Sequence, residues 1–139
     1  IVSLLLILKN YLAATYLTLA SIGTGIGTLL IKDILGRERP TVIPKLIEIS
    51  GLSYPSGHSF GASAFYFSLA VVLSSYIRNF HVRIGLFLFA SFFIGLIGVS
   101  RLYLGVHYPS DVLSGIFLGM SWSLLLAGSI ELIRSKLKP

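Results

Sequence analysis

The chain has 139 residues, of which 55% are hydrophobic and 12% charged; its formal net charge is +6 and its mean hydropathy +0.89. Soluble domains are about a quarter charged, so this composition excludes an ordinary soluble domain and reads as an integral membrane protein. With no cysteine, a disulfide framework and a thiolate metal site are both excluded.

Ile1–Leu8 is apolar, but as a helix it would reach only about 12 Å, too short to cross a bilayer. It reads as the end of a span whose beginning is missing, or as a short membrane-dipping helix, and it lacks the pattern of a cleaved signal peptide. Four long apolar segments follow: Tyr11–Ile31, Phe60–Ile77, Ile84–Ser100 and Val112–Ile133. Each is close to the roughly 20 residues that cross as a helix, and backbone groups in lipid must be satisfied within the segment. The alternation of barrel strands is absent. The expected fold is therefore all-α, a polytopic transmembrane helix bundle with four full spans plus an N-terminal helix remnant, forming a single domain over residues 1–139. Gly23 with Gly27, and Gly115 with Gly119, form small-xxx-small pairs that let helices approach closely. Packing within one bundle is preferred for them, with a homodimer contact as the alternative.

The connections differ in character. Lys32–Ser59 is long and carries Pro40, Pro44 and Pro55, with a short interfacial helix expected over Pro44–Ser50. Arg78–Arg83 reads as a tight basic turn, with His81 as a plain loop residue. Arg101–Asp111 joins the last two spans. Four antiparallel helices put the first and third connections on one face. That face carries Lys32, Arg37, Arg39, Lys45 and Arg101 against Asp33, Glu38, Glu48 and Asp111, a net of +1. The opposite face carries Lys9, Arg78, Arg83, Arg134, Lys136 and Lys138 against Glu131, a net of +5. Cytoplasmic loops carry the excess of Lys and Arg. The first face is therefore expected to be exoplasmic, on the periplasmic or exterior side of a plasma (inner) membrane. The overall basicity follows from this asymmetry and needs no nucleic-acid partner.

Three polar clusters fall on that first face: Lys32-x6-Arg39-Pro40, Pro55-Ser56-Gly57-His58, and Ser100-Arg101-x5-His107-x3-Asp111. Lys32, Arg39 and Arg101 suit phosphate, arginine through its fork and lysine as a point charge. Arg37 and Lys45 read instead as side chains that snorkel to headgroups or solvent. Ser56 is a candidate N-cap and Gly57 admits close approach to a helix start, where free N–H groups favour an anion. His58 reads as a general acid. Its helix start and the nearby cations favour the neutral ring, and bound phosphate pushes the other way. His107 and Asp111 stand four residues apart. A carboxylate on one imidazole nitrogen fixes the tautomer and leaves the other as a nucleophile. Two histidines and an aspartate could instead ligate zinc, but three cations in the same pocket oppose a dication, so no metal and no cofactor is expected. Trp122 and the tyrosines read as packing and interface anchors.

These blocks, complete and in order, resemble those of the type 2 phosphatidic acid phosphatase superfamily, over about Tyr11 to Ile133. The resemblance implies that His107 attacks phosphorus to form a phosphohistidine, that Asp111 orients it, and that His58 protonates the leaving group. It implies that Lys32, Arg39, Ser56, Gly57 and Arg101 bind the substrate phosphate, with no metal needed. Soluble vanadium-dependent haloperoxidases share the blocks and the helical core, but the hydropathy argues against them. The expected activity is an integral-membrane lipid phosphatase acting at the exoplasmic face on phosphatidylglycerophosphate, phosphatidate, undecaprenyl diphosphate or a lipid A 1-phosphate. The partners expected are a membrane lipid phosphate and the bilayer itself. A phosphotransferase passing the phosphate to another acceptor, and a non-catalytic lipid-phosphate binder or transporter, are the alternatives.

Overall fold

The computed structural model describes residues 1–7, 9–41 and 44–136, and the regular structure among them is entirely helical. The helices are α1 (Val2–Ile7), α2 (Tyr11–Leu35), α3 (Gly57–Ser74), α4 (Phe80–Tyr103) and α5 (Pro109–Lys136). Leu8, at the end of the expected N-terminal remnant, lies outside the described residues.

Polar caps set where the helices begin and end, and those ends position the site. Asn10 caps α2 by accepting from the Ala13 N–H at 3.2 Å. The helix stops at Gly36, which takes the left-handed conformation (φ 57°) and donates its N–H to Lys32 O at 2.9 Å. A residue with a Cβ resists that conformation, so glycine here turns the chain sharply into Arg37. Ser56 caps α3, its Oγ accepting from Ser59 N at 3.4 Å. Asn79 caps α4, accepting from His81 N at 2.9 Å and from Val82 N at 3.3 Å. That cap starts α4 ahead of the apolar run, so His81 and Arg83 lie in its first turn rather than in a loop. At α5, Pro109 occupies the first helical position, where its missing N–H costs nothing. Asp111 Oδ2 reaches back to accept the Tyr108 N–H at 2.9 Å, one half of a capping box.

Among the described residues, α2, α4 and residues Pro109–Leu132 of α5 are long and apolar enough to cross a membrane. The second expected span is the exception. At 18 residues α3 is shorter, and it buries Ser59, Ser63 and Ser68. It packs against α2, α4 and α5, so its faces meet helices instead of lipid and tolerate hydroxyls that find partners there. Ser63 donates to Ile116 O at 2.8 Å across the α3–α5 contact. The outer faces of the long helices leave Leu29, Phe89, Phe92, Phe117 and Leu125 exposed, as a lipid-facing surface requires.

Gly115 and Gly119 lie against the backbone of α3. A Cβ on Gly115 would stand 2.7 Å from Ser56 O, and one on Gly119 2.7 Å from Ala64 N. Helix α5 therefore sits directly on α3, and this glycine pair is used inside the bundle. Gly27 faces the Phe60 ring in the same way, and Gly23 faces Trp122.

The expected helix over Pro44–Ser50 does not form; those residues are irregular. Leu46 N donates to Leu104 O at 3.2 Å, and the Ser50 and Gly51 carbonyls are taken by the Arg39 side chain. These bonds tie the segment to the end of α4 and to the arginine loop.

Candidate active site

The three polar clusters meet at one end of the bundle. Lys32 comes from the last turn of α2, His58 from the start of α3, Arg101 from the end of α4, and Asp111 from the first turn of α5. The long connection after α2 brings Arg37 and Arg39 over them. Its course is set by Ser53, whose N–H donates to Arg37 O at 2.7 Å and whose Oγ donates to Glu38 O at 2.8 Å. Ser53 is fully buried, so the segment from Arg37 to Arg39 is clamped from beneath.

Asp111 is the centre of the arrangement. Its side chain is fully buried and both oxygens are used. Oδ1 accepts from Arg37 Nη1 at 2.8 Å, and Oδ2 accepts from Tyr108 N at 2.9 Å. Its backbone O accepts the Ser56 N–H at 3.0 Å, tying the starts of α3 and α5 together.

His107 is 6% exposed. Its Nδ1 stands 3.4 Å from Asp111 Oδ2 and has no hydrogen-bond partner, a gap beyond a formed N–H···O bond. Its Nε2 faces Arg39 Nη1 at 3.5 Å. Burial first, then Arg39, push the imidazole down to about 4 against the opposing pull of Asp111. The ring is therefore neutral at physiological pH, with a lone pair available.

The cations are held as follows. Arg39 donates Nε to Gly51 O and Nη1 to Val106 O, both at 2.9 Å. Lys32 Nζ donates to Leu52 O. Arg101 donates Nε to Ser100 Oγ at 3.1 Å. Carbonyls and a hydroxyl fix these side chains without neutralising their charge, so the pocket keeps its attraction for an anion. Ser56 is fully buried, with its Oγ accepting from Ser59 Oγ at 3.0 Å. Its role in the geometry is to link helix starts, while Gly57 and His58 open the first turn of α3, where N–H groups point out of the helix end. Among the described residues, no three His, Asp or Glu side chains converge as a metal-ligating group.

A groove of about 460 Å³ leads away from the pocket between α2 and α3. Lys32, Gly57 and His58 form its polar end, and Thr24, Gly25, Thr28 and Leu29 line the rest. One end is thus built for an anion and the other for a weakly polar chain.

Arg37 corrects the expectation drawn from sequence. It is not a snorkelling side chain: besides Asp111 it donates to Ser110 Oγ at 2.7 Å, and its guanidinium lies 4.1 Å over the Tyr108 ring. The sequence signal was its position directly after a helix-ending glycine and two residues before Arg39. Spacing alone could not tell that its Nη1 closes on the carboxylate beside His107. Lys45 is exposed, as expected of a solvent-facing cation.

A model of the PAP2 superfamily matches residues 11–133. The chain is 36% identical over 106 residues to phosphatidylglycerophosphatase B of Bacillus subtilis (strain 168), covering 75% of this chain and 51% of that protein. It is 31% identical over 121 residues to a lipid A 1-phosphatase of Rhizobium johnstonii, covering 81% and 46% respectively. The chain thus spans about half the length of the curated relatives it matches. Among solved structures, a transmembrane PAP2-type phosphatidylglycerolphosphate phosphatase from Bacillus subtilis superposes with a TM-score of 0.76 at 29% identity, over 98% of this chain and 71% of that one.

Proposed function

Because this chain belongs to the PAP2 superfamily and is a multi-pass membrane protein, we propose that it carries the catalytic centre of a metal-independent lipid phosphatase. The substrate is the phosphomonoester or diphosphate of a membrane lipid, and the pocket faces the exoplasm. The observation that carries this reading is His107: a buried imidazole with Nε2 turned to Arg39 and Nδ1 turned to a buried carboxylate. The names of the relatives favour phosphatidylglycerophosphate and lipid A 1-phosphate as substrates to try first.

In this mechanism Lys32, Arg39 and Arg101, with the first-turn N–H groups at Gly57, hold the phosphate oxygens. Ser56 keeps that turn in place. His107 Nε2 forms a bond to phosphorus as the bond to the leaving oxygen breaks, and His58 gives its proton to that oxygen. Water then attacks phosphorus, His58 takes a proton from it, and the N–P bond breaks to release inorganic phosphate. Asp111 stabilises the positive charge that His107 carries while phosphorylated. Catalysis is mainly positioning and charge stabilisation. The groove between α2 and α3 gives the lipid chain a path from the bilayer to the phosphate site.

The test is phosphate release from a panel of lipid phosphates in sealed vesicles, with and without EDTA and acceptor alcohols. The wild type should release phosphate in EDTA, and His107→Ala should lower the rate by about 10³-fold or more. An unimpaired His107→Ala variant, or loss of wild-type activity in EDTA, defeats the mechanism. Activity confined to inverted vesicles reverses the orientation, and phosphate recovered on the alcohol makes the enzyme a phosphotransferase.

A further inference from the structure

We propose that Arg37 is a positioning residue of the phosphoryl-transfer centre: it holds the Asp111 carboxylate in place beside the His107 imidazole and shares its charge. This rests on the reading of His107 as the nucleophile.

The geometry on the carboxylate carries the inference. Asp111 has two oxygens, and each makes its short bond to a group other than His107. Arg37 Nη1 takes Oδ1 at 2.8 Å, the Tyr108 N–H takes Oδ2 at 2.9 Å, and the imidazole is left at 3.4 Å. Arg37 is in turn held by the first turn of α5 itself, through Ser110 Oγ at 2.7 Å and the Tyr108 ring at 4.1 Å. Three contacts hold Arg37 to one turn, with the guanidinium on Oδ1 and the imidazole nearest Oδ2. Arg39 does a different job. It lies on the Nε2 side, with its Nη1 on Val106 O, where an incoming phosphate would sit.

Charge explains why such a clamp matters. The groups facing His107 are Arg39 from the loop, Lys32 from α2 and Asp111 from α5. His58 from α3 and Arg101 from α4 border the same pocket. Asp111 is the anion of the set, and its pull favours a protonated ring, which has no lone pair for attack. A guanidinium 2.8 Å from Oδ1 offsets part of that pull, screened on its solvent side. As the N–P bond forms, the ring becomes cationic. A contraction of a few tenths of an ångström then brings Oδ2 into a charge-assisted bond with Nδ1–H. Arg37 thus lets one carboxylate be weak toward the resting imidazole and strong toward the phosphorylated one.

The experiment is histidine-selective ¹³C NMR on the full chain in detergent micelles without substrate, the His107 signal being assigned by its loss in His107→Ala. Replacing Arg37 by Gln should raise the His107 titration midpoint by roughly a few tenths of a unit. In steady-state assays the same variant should lower kcat about tenfold or more while KM stays within about twofold. Arg37→Lys keeps the charge but loses the fork and the ring stack, so its midpoint should stay near the wild type while kcat falls. In an Asp111→Asn background the Gln substitution should move neither quantity further, since the two residues act as one unit.

An unmoved midpoint in Arg37→Gln overturns the proposal. So does a raised KM with kcat preserved, which would make Arg37 a phosphate ligand, and so does a full effect persisting in the Asp111→Asn background. If the Gln variant does not fold, the Lys variant decides: a shifted midpoint with unchanged kcat overturns the proposal. Because the midpoint is read without substrate, a failure here is distinct from failure of the phosphohistidine reading, which would show as full activity in His107→Ala.

Discussion

Two polar clusters lie in this helix bundle and are built on opposite terms. The first joins Tyr16 of α2, Ser68 of α3 and Ser123 of α5. Tyr16 Oη lies 2.6 Å from Ser123 Oγ, which lies 2.8 Å from Ser68 Oγ, and Tyr16 also donates to Ser123 O at 3.1 Å. Every member is neutral, buried and partnered. The second cluster is the candidate active-site end, roughly 18 Å away along α5. There the groups are charged, His107 Nδ1 is buried without a partner, and Arg39, Lys32 and Arg101 rest on carbonyls and a hydroxyl instead of anions. A polar group in an apolar bundle is stabilised by complete satisfaction or retained for function. The closed hydroxyl network fits the first case, and the open charged pocket fits the second. Substitutions in the two clusters should therefore separate stability from activity.

The largest separation is expected from Asp111→Asn. It keeps the shape but removes the charge that stabilises the imidazolium, so phosphate release should fall by about 10³-fold or more. Thermal unfolding in detergent should move far less than activity. A fall in melting temperature that accounts for the lost activity would erase the distinction between the clusters. The converse variant is Ser123→Ala, which leaves the Tyr16 hydroxyl only the Ser123 carbonyl and removes the Ser68 partner. It should cost about 1 kcal/mol of stability with the rate per folded molecule unchanged. Combined with Tyr16→Phe, the cost should be less than the sum of the two, because both remove the same bond.

The smallest effect concerns pH. A histidine held at about 4 stays neutral through the mildly acidic range, whereas an unfolded histidine titrates near 6.5. Lowering pH from 7 to 5 should thus leave the resting His107 able to attack, as read by single-turnover phosphoenzyme formation. The sign for stability is the reverse. Below about 6.5 the unfolded chain binds a proton that the folded chain does not. The His107 contribution to stability should therefore fall steadily down to about pH 4. A phosphoenzyme yield that drops along a midpoint near 6.5 would place His107 in an ordinary solvated environment and remove the contrast between the clusters.

Much of this molecule was legible in the chain itself. The apolar runs of α2, α4 and α5 announced helices because only an internally bonded backbone is stable in lipid. The Pro-Ser-Gly-His and His-x3-Asp blocks marked the starts of α3 and α5, where a capping serine and Pro109 act through local geometry. Gly115 and Gly119 advertised a close helix contact. Features that depend on what a group meets across space were misread or left open. Pro44–Ser50 is irregular and is tied to Arg39 and Leu104 across space. The polar content of α3 makes sense only once three neighbours surround it. Arg37 looked like a surface cation because nothing in its own segment reveals the carboxylate 74 positions later.

The sequence by itself determined the helical class, the membrane habit and the inventory of reactive groups. These follow from hydropathy and from interactions spanning a few residues, whose energies are set locally. Only the tertiary structure decided how those groups divide the work. Whether a cation waits for phosphate or locks onto Asp111, and whether a hydroxyl is spare or spent, depends on distances between helices. Those distances are fixed by Gly115 and Gly119 against α3 and by the Ser53 clamp beneath the arginine loop.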